Sequence, residues 1–527
     1  MAVITKSGMI QNPILKGFNP DPCILRVEDN YYIVVSSFEW LPGLRVYQSR
    51  DLAHWVHCTD LLTEQVNLRG NPKNCSIWAP QLSFHDDLFY LVYTDVKSTK
   101  RPFKDVHNYM MTAPTIEGPW SEPVYLNSSG FDPSLFHDED GRKWLLNALW
   151  DYRITEGNKS SGIVIQEYDP SLQHLVGKPQ KLFDCTWLKK TEAPHIYKQN
   201  GYYYLITAEG GTGSGHAVTV ARSKELLGTY EVDPQNPMLT SRDQPDLPLQ
   251  CAGHGSLVQT PGGEWYMAHL CTRPIEGQFA ILGRETALQQ VYWNEDGWLR
   301  LTAGGSTPQL EVPAPLGSII KVKEEITIFE DIFDGARLKR EWNTLRMLAE
   351  DSWCSLHERP GFLRIRGGES VQSLFRHHLL AIRQTDKRFR AETALEYAPA
   401  SYLQMSGLIL YLNEDNYLYA YISHEEGQGK VLRMMRCAAD EFVLLPEMTP
   451  IENDVPVHLA VDVDGTKAQF HYRMSNEKGW RPLQETQNIS FLCGGFTGNF
   501  VGIAAHDMNQ YRESHADFSY FRYEGTE

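Results

Sequence analysis

Alternating and fully apolar runs dominate this chain, and the 3.6-residue spacing of an amphipathic helix is nearly absent. Five stretches in the first 310 residues share one pattern: a proline or its equivalent, a short apolar run, a polar turn, then an aromatic-rich strand. They read "DPCILRVEDNYYIVVSS" from 21, "APQLSFHDDLFYLVYTD" from 79, "DPSLFHDEDGRKWLLNAL" from 132, "APHIYKQNGYYYLITAE" from 193 and "HGSLVQTPGGEWYMAHL" from 254. Their starts lie 58, 53, 61 and 61 residues apart. The turns carry Asn, Asp and Gly, which is hairpin chemistry. A unit of about four antiparallel strands, repeated five times, predicts a β-propeller whose innermost strands line a central channel.

The repeat also makes certain positions equivalent. Residues at the start of the innermost strands should face the same end of the axis. Asp21, Asp132 and Glu192 (one residue before Ala193) fall there in three different blades, Trp78 takes the place of Glu192 in the second, and His254 that of Asp132 in the fifth. Asp21 sits between two prolines in "GFNPDPCI", so an extended, rigid backbone is expected for it. A turn-forming Asp would read the same way locally. Three carboxylates converging on one channel end would instead repel and raise each other's pKa values, a cost that points to chemistry.

Beyond residue 312 the pattern changes. "EVPAPLGSIIKVKEE" (311–325) turns to proline and then to charge, as a linker does. Strands of 5–9 residues with Asn/Asp/Gly turns follow, predicting a β-sandwich. The expected division is a propeller over 1–312, a linker over 313–325 and a sandwich over 326–527. "GGFTGNFVGIAAH" (494–506) carries Phe496 and Phe500 in a glycine-rich loop, read either as a turn before an edge strand or as a loop reaching across to close the propeller's pocket. "EGGTGSGHA" (209–217) resembles a phosphate loop, but a strand follows it and not a helix, so it is read as a hairpin loop near the channel mouth.

Composition narrows the function classes. The 527 residues carry 66 acidic and 49 basic side chains, a formal net charge of −17, without a basic stripe, so nucleic acid is not expected as a partner. No window approaches 18 uninterrupted apolar residues, so no membrane span is expected. "MAVITKSGMIQNPILKGF" lacks the apolar stretch of a signal peptide, and nine scattered cysteines without a C-x-x-C pair fit free thiols, so a cytoplasmic protein is expected.

Taken in order, "NPDPC", "FDPS" and "TEAPH", with "SSFEW", "GHGS", "GRET" and "GGFTGNFVG", resemble glycoside hydrolase family 43, and within it the two-domain β-xylosidases. The likeness runs over nearly the whole chain. It implies an all-β, five-bladed propeller followed by a concanavalin-like sandwich, and hydrolysis with inversion. Asp21 then matches the general base, Glu192 the general acid and Asp132 the residue that orients and charges Glu192, with the two reacting carboxyls about 6.5–9.5 Å apart. Phe38, Trp78, Trp150 and Phe500 are expected around the sugar, and Arg284 of "LGRET" is expected to bond a hydroxyl and hold a carboxylate ionised. His254, counted with the substrate-binding residues, lies where some relatives place a hydrated calcium ion; it would meet that ion through water, because calcium prefers oxygen, or support the catalytic carboxylates. No cofactor is required by such chemistry, and family habit suggests a dimer or tetramer. Cys23 departs from the family's usual small hydroxyl residue and raises the question of thiol sensitivity.

The expected reaction is exo-acting β-1,4-xylosidase action on xylobiose and xylo-oligosaccharides. An α-L-arabinofuranosidase, with the same catalytic residues, stands as the alternative. From a different class, a non-catalytic sugar-binding propeller remains, though such a scaffold would have no need of all three carboxylates. The retaining invertase-like propellers are excluded by Phe131 before Asp132 and Ala193 after Glu192.

Overall fold

The computed structural model describes residues 8–318, 326–452, 455–509 and 511–526; the 319–325 portion of the expected linker lies outside them. All regular elements among the described residues are strands. Five antiparallel sheets follow one another in chain order, four of them four-stranded and the fourth five-stranded, with Leu239–Thr240 as its extra strand. Their innermost strands are Cys23–Val27, Ser76–His85, Gly130–His137, Glu192–Gln199 and Gln250–Gln259. They are the predicted blades. The ring is tied at its seam by Met9–Gln11 pairing with Glu311–Pro313, so the start of the expected linker begins as a strand.

The repeat position has one backbone conformation throughout, and it is not the extended one expected for Asp21. Asp21, Ala79, Asp132, Ala193 and His254 all have positive φ, between 33° and 55°. The pairing register slips at this point in four of the five blades, between Trp78 and Gln81, Phe131 and Ser134, Glu192 and His195, and Gly253 and Ser256. A bulge of this kind re-aims the side chains beside it. In four of the five the next residue is proline (Pro22, Pro80, Pro133, Pro194), which disfavours the right-handed helical region for its predecessor, whereas His254 precedes Gly255. Non-glycine residues in the left-handed region cost about 1–3 kcal/mol each, so the fold invests in directing these five side chains.

The second unit is a sandwich of an eight-stranded and a seven-stranded antiparallel sheet. Its strands alternate buried and open positions, as Lys467–Met474 does, and the inner faces enclose a core that includes Leu408, Leu418, Val461 and Phe518. Backbone pairing joins it to the propeller: Trp40–Leu41 bonds Thr344–Leu345 as a two-stranded ladder. A shared apolar cluster containing Phe18, Trp40, Leu379, Tyr411 and Phe500 fills the seam.

Candidate active site

A cavity of about 240 Å³ opens at the axis, lined by Asp21, Asp132 and Glu192 together with Phe38, Trp78, Trp150, His254 and Arg284. Phe500 is absent from that lining. It is fully buried, stacked on Trp40 with ring centroids 3.6 Å apart, and it serves the domain seam. Phe496, four residues earlier, lines the pocket in its place. The reason is strand geometry: Phe500 opens the strand Phe500–Asp507, whose register binds it into the sandwich sheet, whereas Phe496 precedes the strand.

Two glycines let that loop dock. A Cβ on Gly498 would meet the Leu282 carbonyl at 2.5 Å, and one on Gly283 (φ +79°) would meet the Gly498 Cα at 2.6 Å. The "LGRET" and "GGFTGNFVG" segments thus press backbone to backbone, and Asn499 N–H donates to the Ile281 carbonyl at 2.9 Å. On the other side, Asn74 accepts from the Phe496 N–H at 2.7 Å with its side chain, while its carbonyl accepts from Trp78 Nε1 at 3.1 Å.

Asp21 is gripped from several sides. Arg284 Nη1 donates to Oδ1 at 2.8 Å and Nη2 to Oδ2 at 3.3 Å, and Ser36 Oγ donates to Oδ2 at 2.7 Å. Ser36 in turn accepts the Ala79 N–H at 2.7 Å, which links two blades through one hydroxyl. The Arg284 guanidinium lies between the Phe38 and Phe496 rings, 5.3 and 5.2 Å from their centroids, and Nε donates to the Phe496 carbonyl at 3.1 Å. Burial alone would raise the Asp21 pKa, but Arg284, His254 and the Ser36 bond together hold it below the ordinary value. Asp21 is a carboxylate at any pH near neutrality.

The other two carboxyls are displaced the opposite way. Burial raises Glu192 to about 7; Lys104 opposes the rise and the charge of Asp21 adds to it. Asp132 is raised well above its usual range by burial, then by Glu192 and Asp21. The two titrate as a pair that keeps a proton near neutral pH. The repulsion between Glu192 and Asp132 belongs to the pair, and burial and Asp21 add to it.

Lys104 went unnoticed in the sequence. Its ammonium lies 4.1 Å from the Phe131 ring centroid, 4.2 Å from that of Trp150 and 5.1 Å from that of Trp78, and its charge acts on Glu192 and Asp132. Trp150 Nε1 donates to the Pro102 carbonyl at 3.0 Å, tethering the lysine's loop to the wall. The glycine-rich 209–217 segment is the hairpin loop expected, joining Tyr202–Glu209 to Ala217–Ser223, and Gly211 and Thr212 reach the pocket.

His254 Nδ1 lies 3.6 Å from Asp21 Oδ1, and burial lowers its pKa against the opposing pull of Asp21. These donors do not fit a directly ligated calcium ion. The nearest carboxylate is committed to Arg284 and Ser36, and the imidazoles of His254 and His216 offer nitrogen where calcium takes oxygen. Among the described residues no group of three or more His, Cys, Asp or Glu side chains has metal-holding geometry. Cys23 is buried, its Sγ against the Leu82 carbonyl at 3.6 Å, and burial pushes its thiol up to about 11.

One carboxyl kept ionised and another kept protonated, facing one aromatic-walled pocket, are what glycoside hydrolysis requires. The profile described as "Glycosyl hydrolases family 43" matches residues 10–299, and that described as "Beta xylosidase C-terminal Concanavalin A-like domain" matches 330–524. The chain belongs to glycosyl hydrolase family 43. It is 45% identical to the "Xylosidase/arabinosidase 43B" of Humicola insolens, over 98% of this chain and 97% of that protein. It is 44% identical to the "Beta-xylosidase" of Bacillus subtilis (strain 168), over 98% and 99% respectively. The crystal structure of a xylan β-1,4-xylosidase from Bacillus halodurans C-125 superposes with a TM-score of 0.95 at 47% identity, over 98% of this chain and all of that one.

Proposed function

We propose that the protein is an exo-acting β-1,4-xylosidase that removes xylose from the non-reducing end of xylobiose and longer xylo-oligosaccharides by a single, inverting displacement. The observation that carries this is the opposed tuning of Asp21 and Glu192 within one pocket. The names of the full-length relatives support xylosides as substrates.

Asp21 takes a proton from the attacking water, and the carboxylate is ready because Arg284 and Ser36 fix both oxygens. Glu192 gives its proton to the leaving oxygen, and the longer Glu arm suits that reach. Asp132 shares and steers that proton. Phe38, Trp78, Trp150 and Phe496 shape the walls, and the Phe496 loop from the sandwich limits the depth, which favours removal of one terminal sugar. No step needs a metal, because general acid and general base suffice. Any calcium at the axis is proposed to meet His254 only through water.

An α-L-arabinofuranosidase activity on the same residues is the second reading, favoured by the double name of the Humicola relative. A cytoplasmic setting is proposed from nine cysteines that are all free. Assembly as a dimer or tetramer is likewise proposed, and light scattering of the purified protein tests it.

Proton NMR of xylobiose hydrolysis tests the main reading. α-Xylose released first by the wild type, with Asp21→Ala inactive, is the expected result. β-Xylose released first would overturn inversion and both assigned roles. Cleavage of arabinofuranosides with xylobiose untouched would transfer the site to the second reading.

A further inference from the structure

The pocket holds more positive charge than its chemistry uses. Four cations line it: Arg101, Lys104, Lys190 and Arg284. Arg284 is spent on Asp21. Lys104 faces Glu192 and Asp132, which together carry about one negative charge near neutrality because they retain a proton. Arg101 and Lys190, the latter with a charge that also reaches Glu192, stand in excess of the pocket's carboxylates, in a chain whose formal charge is −17. Neither makes a side-chain hydrogen bond or ion pair among the described residues, and both are exposed at the mouth.

Lys190 is also held there at a cost. Lys189 and Lys190 have φ of 59° and 56°, two successive non-glycine residues in the left-handed region immediately before Thr191 and Glu192. Strain of that kind persists only where the surroundings impose it. They do: the Lys189 carbonyl accepts the Gly210 N–H at 2.8 Å. The Lys190 side chain then runs across Gly211, where an added Cβ would meet its Cδ at 3.0 Å and its Nζ at 3.1 Å. The glycine-rich hairpin therefore serves as a bed for this lysine. Arg101 stands on the loop that Trp150 tethers through the Pro102 carbonyl.

Lys190 stands two residues before Glu192 and its charge acts on that carboxyl, while Arg101 acts on Lys104, whose ammonium also acts on Glu192. An acid that protonates the leaving oxygen must lie beside the leaving group, so what surrounds it toward the mouth meets the sugar being released. We propose that Arg101 and Lys190 form a recognition site for a carboxylate on the leaving-group side, making acidic xylo-oligosaccharides, with a uronic-acid branch next to the terminal xylose, preferred substrates. This rests on the xylosidase reading above.

The test compares para-carboxymethylphenyl β-xyloside with its uncharged carboxamide, two leaving groups of matched size and acidity. The wild type is expected to show a kcat/KM about fivefold to tenfold higher for the carboxylate at low salt, the size expected of two partly exposed ion pairs. That ratio should fall toward one as ionic strength rises from about 0.05 to about 0.5 M. Lys190→Met and Arg101→Met should each lower the ratio about threefold, and Lys190→Arg should keep it. A wild-type ratio near one with both glycosides cleaved, or a ratio that neither Met variant changes, overturns the proposal. Failure to cleave either glycoside overturns the xylosidase reading instead.

Discussion

Asp21 on the propeller axis and Glu39 in the seam between the domains each lie buried beside a buried guanidinium. At the axis Arg284 grips Asp21 with both terminal nitrogens, and the carboxylate ends up more acidic than usual. In the seam Glu39 lies beside Arg346, yet Arg346 bonds the Asn71 carbonyl through Nε and Glu414 through Nη2 at 3.1 Å, and Glu39 Oε2 has no partner. Burial there outweighs Arg346, Glu414 adds repulsion, and Glu39 rises to about 7, the same value as Glu192. A raised pKa therefore does not by itself mark a catalytic acid. Glu192 opens onto a pocket with an ionised carboxylate in it, whereas Glu39 is sealed between Phe38 and Trp40 against the sandwich.

The largest expected effect is at the axis. Asp21→Asn should lower kcat on xylobiose by roughly 10³-fold or more, since it removes the general base while keeping the shape; retention of a tenth of the activity would sink the assignment. Arg284→Met should come next, costing about 3–5 kcal/mol of stability by leaving Asp21 buried without its partner, as read in a urea titration. The same variant should move the acidic limb of the kcat/KM profile to higher pH, because the cation holding Asp21 ionised is gone.

The seam should respond to pH in stability and not in catalysis. Glu39 has a folded-state pKa above its ordinary 4.5, so its contribution is fully present below about pH 4.5 and is lost as pH rises through about 7. Glu39→Gln should remove that loss. Its unfolding free energy is expected to exceed the wild type's by about 1–3 kcal/mol at pH 9 relative to their difference at pH 5. Parallel stability profiles for the two proteins would contradict the seam's account. The smallest effect is on the acid itself. Lys104→Met takes away the cation that most opposes the rise of Glu192, so the alkaline limb of kcat/KM should move up by roughly half to one pH unit. An unmoved limb would mean that Glu192 does not set it.

Much of the axis was legible beforehand because the chain repeats. Near-equal spacing makes Asp21, Asp132 and His254 equivalent before any coordinates exist, and a four-stranded blade leaves little freedom in where its innermost strand begins. Arg284 was reached through the "GRET" likeness, and the structure shows it holding a carboxylate as expected, though that carboxylate is Asp21 in the first blade. Lys104 was not legible. It lies in a loop outside the repeat, and its value comes from three aromatic rings contributed by two other strands and the end of a third. Glu39 sat inside a quoted motif, yet its environment is made by Arg346 and Glu414, more than 300 residues away in sequence.

The loop at 494–506 divides the two kinds of knowledge. Its composition told that two phenylalanines could cross to the propeller, and the glycines around them told that backbone would come close to backbone. Which ring enters the pocket was decided by register, since Phe500 pairs with Arg383 and Tyr411 in the sheet and Phe496 does not. The sequence by itself determined the five blades, the three acids at their entrances and the two-domain order, because these depend on local periodicity and on positions repeated along the chain. Only the tertiary structure decided the left-handed turn at each entrance, the partner of each charge and the side of the pocket each ring occupies. Those depend on contacts between residues far apart in the chain, and on burial, which no single segment carries alone.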